Sequence, residues 1–319
     1  MADLSRALIY AWTGLAGLLH LVPYAWADVA GRSADPADGG SAASVEPEWA
    51  YAIPTTLDRG GRVLAPVTIN GQGPFRFILD TGANRSVLSP GVVEALRIAP
   101  SPDAQVEVHG VTGSATVPTV MVGEIKVGDL AIMRNKRMPV LSGPLLAGAD
   151  GILGIEGMAG SRIEVDFESG AVTLVQSRRT PAADGMLTVP VTLRHRGLLV
   201  ADARIGRLRV KAIIDTGAER TLGNMALFTA LLPTLSPQVA VAKVHGATPD
   251  VAEGASFLAP TIQVGDVQIE NLEVTFGDLY VFQLWGLQKQ PALLLGMDLI
   301  GTARRLVIDY RRREMRVLP

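Results

Sequence analysis

Asp80-Thr81-Gly82 and Asp215-Thr216-Gly217 are the residues of this chain whose types and spacing could do chemistry together. Each Asp ends an apolar run, Phe77-Ile78-Leu79 in one case and Ala212-Ile213-Ile214 in the other, and each triplet is followed by an alanine, Ala83 and Ala218. An apolar run ending in a carboxylate, a small hydroxyl residue and a glycine reads as a buried strand that delivers the Asp onto a tight turn. One such triplet arises by chance in about one chain in twenty of this length at average residue usage. Two with matched lead-ins, 135 residues apart, mark an internal repeat.

Two carboxylates held within a few Å cannot both ionise, because like charges in a partly desolvated site push one pKa up. The ionised member can take a proton from a water lying between them while the protonated member polarises a carbonyl, so the pair is general base and general acid at once. That chemistry is hydrolysis of an amide without a covalent intermediate. Thr81 and Thr216 suit locking of the two turns by hydroxyl-to-backbone hydrogen bonds, and Gly82 and Gly217 let the turns approach.

The elements needed to position such a pair recur in the same order in both halves. Val63 to Asn70 reads as a strand, Gly71-Gln72-Gly73-Pro74 as a turn, and Phe75 to Leu79 as the returning strand. Gly71 and Gly73 do not make a nucleotide-binding loop, since Arg76 stands where a third glycine is needed and no helix follows. Ser89-Pro90 predicts the start of a short helix over Gly91 to Leu96. Val106-Glu107-Val108 leads into His109-Gly110-Val111-Thr112-Gly113 and Ser114 to Val122 leads away, a hairpin with a flexible tip. A turn at Val127-Gly128-Asp129-Leu130 and a short strand at Met138 to Leu141 follow. Gly151-Ile152-Leu153-Gly154 is an apolar strand ending where another backbone can approach, and Arg162 to Phe167 with Ala171 to Val175 make a closing hairpin.

The second half replays this order. Leu187 to Leu193 and Leu198 to Ile205 read as strands, Arg207 to Ile214 leads into Asp215, and Leu222 to Leu232 is helical in pattern. Val244-His245-Gly246 matches Val108-His109-Gly110, Val264-Gly265-Asp266 matches Val127-Gly128-Asp129, Leu294-Leu295-Gly296 matches Ile152-Leu153-Gly154, and Asp309-Tyr310 matches Asp166-Phe167. The offsets from the Asp onward are 135, 136, 137, 142 and 143, as a duplication with a few loop insertions requires. The expected fold is all-β, with two similar small barrel lobes related by a pseudo-twofold axis and one Asp turn from each at their interface.

Composition narrows the function classes. A length of 319 residues with 48% hydrophobic and 19% charged residues leaves material for two cores. A net charge of −2 and the lack of a long basic stripe give no reason to expect nucleic acid as a partner, and Arg311-Arg312-Arg313 reads as the turn of a terminal hairpin. No cysteine is present, which excludes disulfides, thiol nucleophiles and cysteine-ligated zinc. Arg6 followed by the apolar run Ala7 to Val22 and by Ala25-Trp26-Ala27 fits a signal peptide with a peptidase site, or an uncleaved membrane anchor of the same orientation. Residues 28–48 are small and polar, a flexible tether. The expected organisation is thus 1–27 as signal peptide or anchor, 28–48 as tether, 49–176 as first lobe, 177–184 as linker and 185–319 as second lobe.

On these motifs the chain, from about Arg62 to Leu318, resembles the retropepsin-like, pepsin-related superfamily of aspartic peptidases, in a bacterial exported form carrying both halves on one chain. The resemblance rests on the two Asp-Thr-Gly turns, the glycine-containing hairpins and the two apolar-apolar-Gly strands. It implies Asp80 and Asp215 as the catalytic dyad, Thr81, Gly82, Ala83, Thr216, Gly217 and Ala218 as turn support, and His109, Gly110, Val111, His245, Gly246 and Ala247 as substrate-binding flaps. It also implies no cofactor and no metal, an extended segment of a protein substrate as partner, a monomer, and a place beyond the inner membrane. Alanine after the glycine is of the retroviral type. Neither flap carries the tyrosine of pepsin-type flaps, and both carry a histidine, which reads either as a polar strand-end residue inherited by duplication or as a functional contact. A peptide-binding or regulatory module that kept the fold and lost turnover is the competing reading; loss of one Asp would favour it, and both are present.

Overall fold

The computed structural model of the chain describes residues 8–11, 51–100, 104–128, 130–142, 146–177, 185–237 and 240–319. The architecture is largely β, with one mixed sheet of sixteen strands and one of eight. In the first half Val63–Ile69 and Gln72–Leu79 form an antiparallel hairpin. Its turn falls at Asn70-Gly71, where φ is 50° and 77°. The turn therefore comes ahead of the glycine-proline stretch, because asparagine and glycine accept the left-handed conformation at both central positions of a two-residue hairpin. Along Gln72–Leu79 the side chains pass from exposed at the turn to buried at Phe77, Ile78 and Leu79, which draws the following Asp80 into the interior.

The hairpin Ser114–Val127 with Leu130–Pro139 is longer than the sequence suggests. Gly123 and Glu124 interrupt its apolar run, Ile125 and Val127 are buried beyond them, and an extra residue on the partner strand, Ile132, shifts the register between Ile125 and Lys126. In the second half Leu198–Ile205 pairs with Leu208–Ile214, the strand that ends at Asp215.

Two short apolar strands lie parallel to the Asp-bearing strands. Gly151–Leu153 runs beside Gln72–Leu79 with Leu153 opposite Leu79, and Ala292–Leu295 runs beside Leu208–Ile214 with Leu295 opposite Ile214. Buried on both faces, they read as continuous apolar runs and lack alternation.

The closing hairpins join the halves. Ser161–Asp166 pairs with its own partner Ala171–Gln176 and with Arg305–Asp309, which pairs with Glu314–Leu318; Tyr51–Pro54 and Leu187–Arg194 add the outer strands of this group. Its inner face places Ile163, Val165, Leu306, Ile308, Met315 and Val317 in the main core. Arg311, Arg312 and Arg313 lie in the turn of the last hairpin.

Four short helices punctuate the strands. Helix α1 (Pro90–Ala95) has Ser89 as its cap, accepting from Val92 N–H at 3.3 Å, with proline at its first position. Helix α2 (Met225–Leu231) starts after Leu222, because Leu222–Gly223 is a short strand beside Ala292–Leu295; Asn224 caps it, accepting from Leu227 N–H at 2.8 Å. Helix α3 (Tyr280–Leu284) and helix α4 (Met297–Ile300) had no counterpart in the sequence reading.

At the amino terminus Leu8–Ala11 pairs antiparallel with Val267–Glu270. The rest of 1–27, the tether 28–48 and residues 178–184 of the linker lie outside the described residues. Among the described residues no helix is long and apolar enough to cross a membrane.

Candidate active site

The two Asp turns meet. Strand hydrogen bonding carries each turn to the same place, with Asp80 N–H donating to Leu153 O and Asp215 N–H to Leu295 O, both at 3.0 Å. The turns are then bound to each other. Thr81 N–H donates to Thr216 Oγ1 and Thr216 N–H to Thr81 Oγ1, each at 3.1 Å, while Thr81 Oγ1 donates to Ile214 O at 2.8 Å and Thr216 Oγ1 to Leu79 O at 2.7 Å. All four bonds are buried, and each satisfies a backbone group at a strand end that lacks a ladder partner.

The glycines set the approach. A Cβ on Gly82 would lie 2.3 Å from the Asp215 carboxyl, and one on Gly217 would lie 2.2 Å from the Asp80 carboxyl. Each carboxyl thus packs against the other turn's glycine, in space that no other residue leaves. Asp80 Oδ1 accepts from Gly82 N–H at 2.8 Å; Asp215 Oδ1 accepts from Gly217 N–H at 2.9 Å and Ala218 N–H at 3.1 Å.

The side chains of Asp80 and Asp215 are buried and close enough for each to bear on the other's titration. Burial raises the Asp80 pKa, against the pull of the Gly82 N–H, the Asp215 carboxyl, the Ala83 N–H and the positive charge of Arg62. Asp215 is raised further, by burial and by the negative charge of Asp80. Both shifts follow from two acids in one desolvated site, where the pair holds a single proton between them.

Behind the turns, residues absent from the sequence reading fix the geometry. Ser86 Oγ accepts from Gly154 N–H at 3.0 Å, and Thr221 Oγ1 accepts from Gly296 N–H at 3.1 Å. Glu156 accepts from Ser86 N–H at 3.0 Å; Asp298 accepts from Thr221 N–H and from its hydroxyl, both at 2.8 Å. The available signal was positional, a hydroxyl six residues after each Asp and an acid two residues after each of Gly154 and Gly296. A Cβ on Gly154 or Gly296 would fall within 2.7 Å of the backbone of the adjacent Asp loop, so only glycine lets these strands pass.

The fifth residue of each Asp loop reaches the opposite half, with different chemistry on the two sides. Asn84 donates to His195 O at 2.9 Å and to Arg196 O at 3.3 Å. Glu219 lies 3.5 Å from the buried Arg62, which is held more closely by Asp58 at 2.6 Å. His195 stacks on Trp285 at 5.8 Å, and its pKa is lowered by burial and by Arg194.

The two hairpins with histidines meet tip to tip. A Cβ on Gly110 would stand 2.8 Å from Ala247 N, and one on Gly246 would stand 2.8 Å from Thr112 Oγ1. Thr112 and Thr248 hydroxyls lie 3.3 Å apart. Each tip rests on an apolar cluster of the other half: Val111 on the group that includes Val200, Ile213, Leu222 and Phe282, and Ala247 on the group that includes Leu64, Ile78, Val87 and Ile152. His109 lies against Tyr280, whereas His245 is exposed. Among the described residues no group of three His, Cys, Asp or Glu is placed to hold a metal ion.

No curated protein matches the chain. A family model described as aspartyl protease matches residues 65–156 and 201–299, more than half of the chain and inclusive of both Asp turns. The hydrolytic, Asp-dependent character of that family agrees with two buried carboxyls on interlocked turns, and the chain belongs to the aspartyl protease family.

Proposed function

We propose that this chain is a retropepsin-like aspartic endopeptidase, in which Asp80 and Asp215 are one catalytic dyad contributed by two lobes related by a pseudo-twofold axis. The observation that carries this reading is the reciprocal bonding of the two Asp turns, which packs each buried carboxyl against the other turn's glycine. Asp80 is the ionised member. A water between the carboxyls gives its proton to Asp80 as its oxygen attacks the scissile carbonyl carbon, and Asp215 gives its proton to the carbonyl oxygen. The tetrahedral diol then collapses: a hydroxyl proton returns to Asp215, the proton held by Asp80 passes to the departing amide nitrogen, and the C–N bond breaks. No covalent link to the enzyme forms. The backbone N–H groups of Gly82, Gly217 and Ala218 hold the carboxyls in place throughout.

The substrate in this reading is an extended segment of a protein, lying under the hairpins 105–127 and 240–258 and pairing with them as an added strand. Both lobes, about 49–176 and 185–319, lie on one chain, so the working unit is a monomer. The segment 1–27 directs export, with the peptidase either released near Ala27 or held at the inner membrane by the tether 28–48, and exported or membrane proteins are its substrates.

The test is proteolysis of an unfolded protein substrate by the chain from Glu48 onward, with Asp215→Asn as control. Cleavage by the parent and none by the variant is expected. Binding of peptide without cleavage by the parent would replace this reading with that of a non-catalytic peptide-binding module.

A further inference from the structure

The hairpin Gln105–His109 with Ser114–Val127 is fastened to helix α3 at its tip. Val281 N–H donates to Val111 O at 3.1 Å, and the Tyr280 hydroxyl lies 3.0 Å from His109 Nδ1 with the two rings stacked at 6.0 Å. The other ring nitrogen, His109 Nε2, lies 3.9 Å from Glu107, which also accepts from Ser114 Oγ at 2.8 Å. A carboxylate facing Nε2 favours the tautomer with its proton there, which leaves Nδ1 to accept from the tyrosine hydroxyl. Ser114, Glu107, His109 and Tyr280 thus form one polar chain from the hairpin to the helix of the opposite half. The repeat-equivalent His245 on the other hairpin has no such partner among the described residues.

We propose that Tyr280 is a positioning residue for this flap: with Val281 it latches the Val111 tip over the dyad, and His109 is the catch it grips. This rests on the peptidase reading for its effect on turnover, but the latch itself is a property of the free protein. With the tip down on α3, Val111 O is taken by Val281 N–H, and that bond fixes the tip's height. The matched histidines of the repeat have then diverged, one becoming a catch and the other staying in solvent. The tyrosine lacking from both flaps is supplied from outside them.

The measurement is hydrogen exchange of the Val281 amide, which is exposed only when this tip lifts. Tyr280→Phe keeps the ring stack and removes the hydroxyl; His109→Ala removes the catch, and His109→Asn restores an acceptor near Nδ1. Tyr280→Phe and His109→Ala should each speed Val281 exchange by about 3- to 10-fold, the span of one ordinary hydrogen bond, and the double variant should exchange no faster than either. His109→Asn should exchange close to the parent rate. In turnover, Tyr280→Phe should raise KM by a similar factor with kcat within about twofold, as expected when closure over substrate is weakened and the dyad is untouched. Unchanged Val281 exchange in Tyr280→Phe, or additive effects in the double variant, would overturn the latch. Faster Val281 exchange in these variants, with a parent that cleaves nothing, would keep the latch and remove the peptidase reading.

Discussion

Thr81 and Thr216 exchange donors: the hydroxyl of each accepts the backbone N–H of the other at 3.1 Å while donating to the strand carbonyl that precedes the other's turn. Each hydroxyl therefore satisfies two buried backbone groups of the opposite half. Valine fills the same volume without either bond. Thr81→Val or Thr216→Val should each cost about 2–4 kcal/mol of stability, by leaving an N–H and a carbonyl buried and unpaired. Urea unfolding checks this, and a change within experimental error would show that the turns are held by other contacts.

In the proposed mechanism the two carboxyls act as a unit. Asp80→Asn and Asp215→Asn should each lower proteolysis by at least about a thousandfold, with no further loss in the double variant. Assay of the three proteins on one substrate tests it; residual turnover near the parent level in either single variant would separate the two carboxyls.

Asp215 also makes a prediction about stability. Burial and the Asp80 charge raise its pKa above the ordinary 3.8, so the folded state holds this proton more tightly than the unfolded chain does. That stabilisation is fully present below 3.8 and is lost as pH rises through the folded-state value. Asp215→Asn escapes the loss. The variant should gain stability over the parent progressively as pH rises above about 4, and a difference that stays constant as pH rises would contradict the raised pKa.

Ala83 and Ala218 follow the glycines and offer no hydroxyl to the ionised carboxylate. The single shared proton is therefore retained to higher pH, and activity should extend from mildly acidic toward neutral conditions. The double variant Ala83→Ser with Ala218→Ser should move the pH profile toward acid. A parent profile peaking near about pH 3 would refute this account.

Gly110 and Gly246 face each other's hairpin with less than 3 Å for an added Cβ. Gly110→Val or Gly246→Val should lower kcat/KM at least about tenfold by forcing the tips apart, with the melting temperature little changed because both sites lie at hairpin ends. Parent-like kinetics in both would show that the tips do not govern turnover.

The parts of the fold with matched segments in both halves were legible in the sequence, because a second copy of a pattern reinforces a weak local signal. The strands ending at Asp80 and Asp215, the apolar strands ending at Gly154 and Gly296 and the hairpins with His109 and His245 all carried such matches. Elements seen once were missed: α3 is five residues with Leu279, Val281 and Phe282 buried, too short for helical periodicity to register. Asn84, Glu219 and Arg62 were missed for another reason. The contacts of Asn84 with His195 and of Glu219 with Arg62 span more than a hundred residues, and the two loops carry different side chains at the same position, so matching the halves hid the contact. Pairing between the closing hairpins was equally illegible, since a strand's sequence states which face is buried and not which neighbour it will find.

The strand Ser161–Asp166 waits for a partner made much later, because Arg162 lies opposite Asp309 and Asp166 opposite Arg305. During synthesis the first half therefore presents an open edge until residues 305–318 emerge, and so high a sequence separation makes this the slow step of folding. The Asp80 turn precedes that late strand by more than two hundred residues of chain. On the proposed reading, a chain arrested before the sheet closes is expected to lack hydrolytic competence.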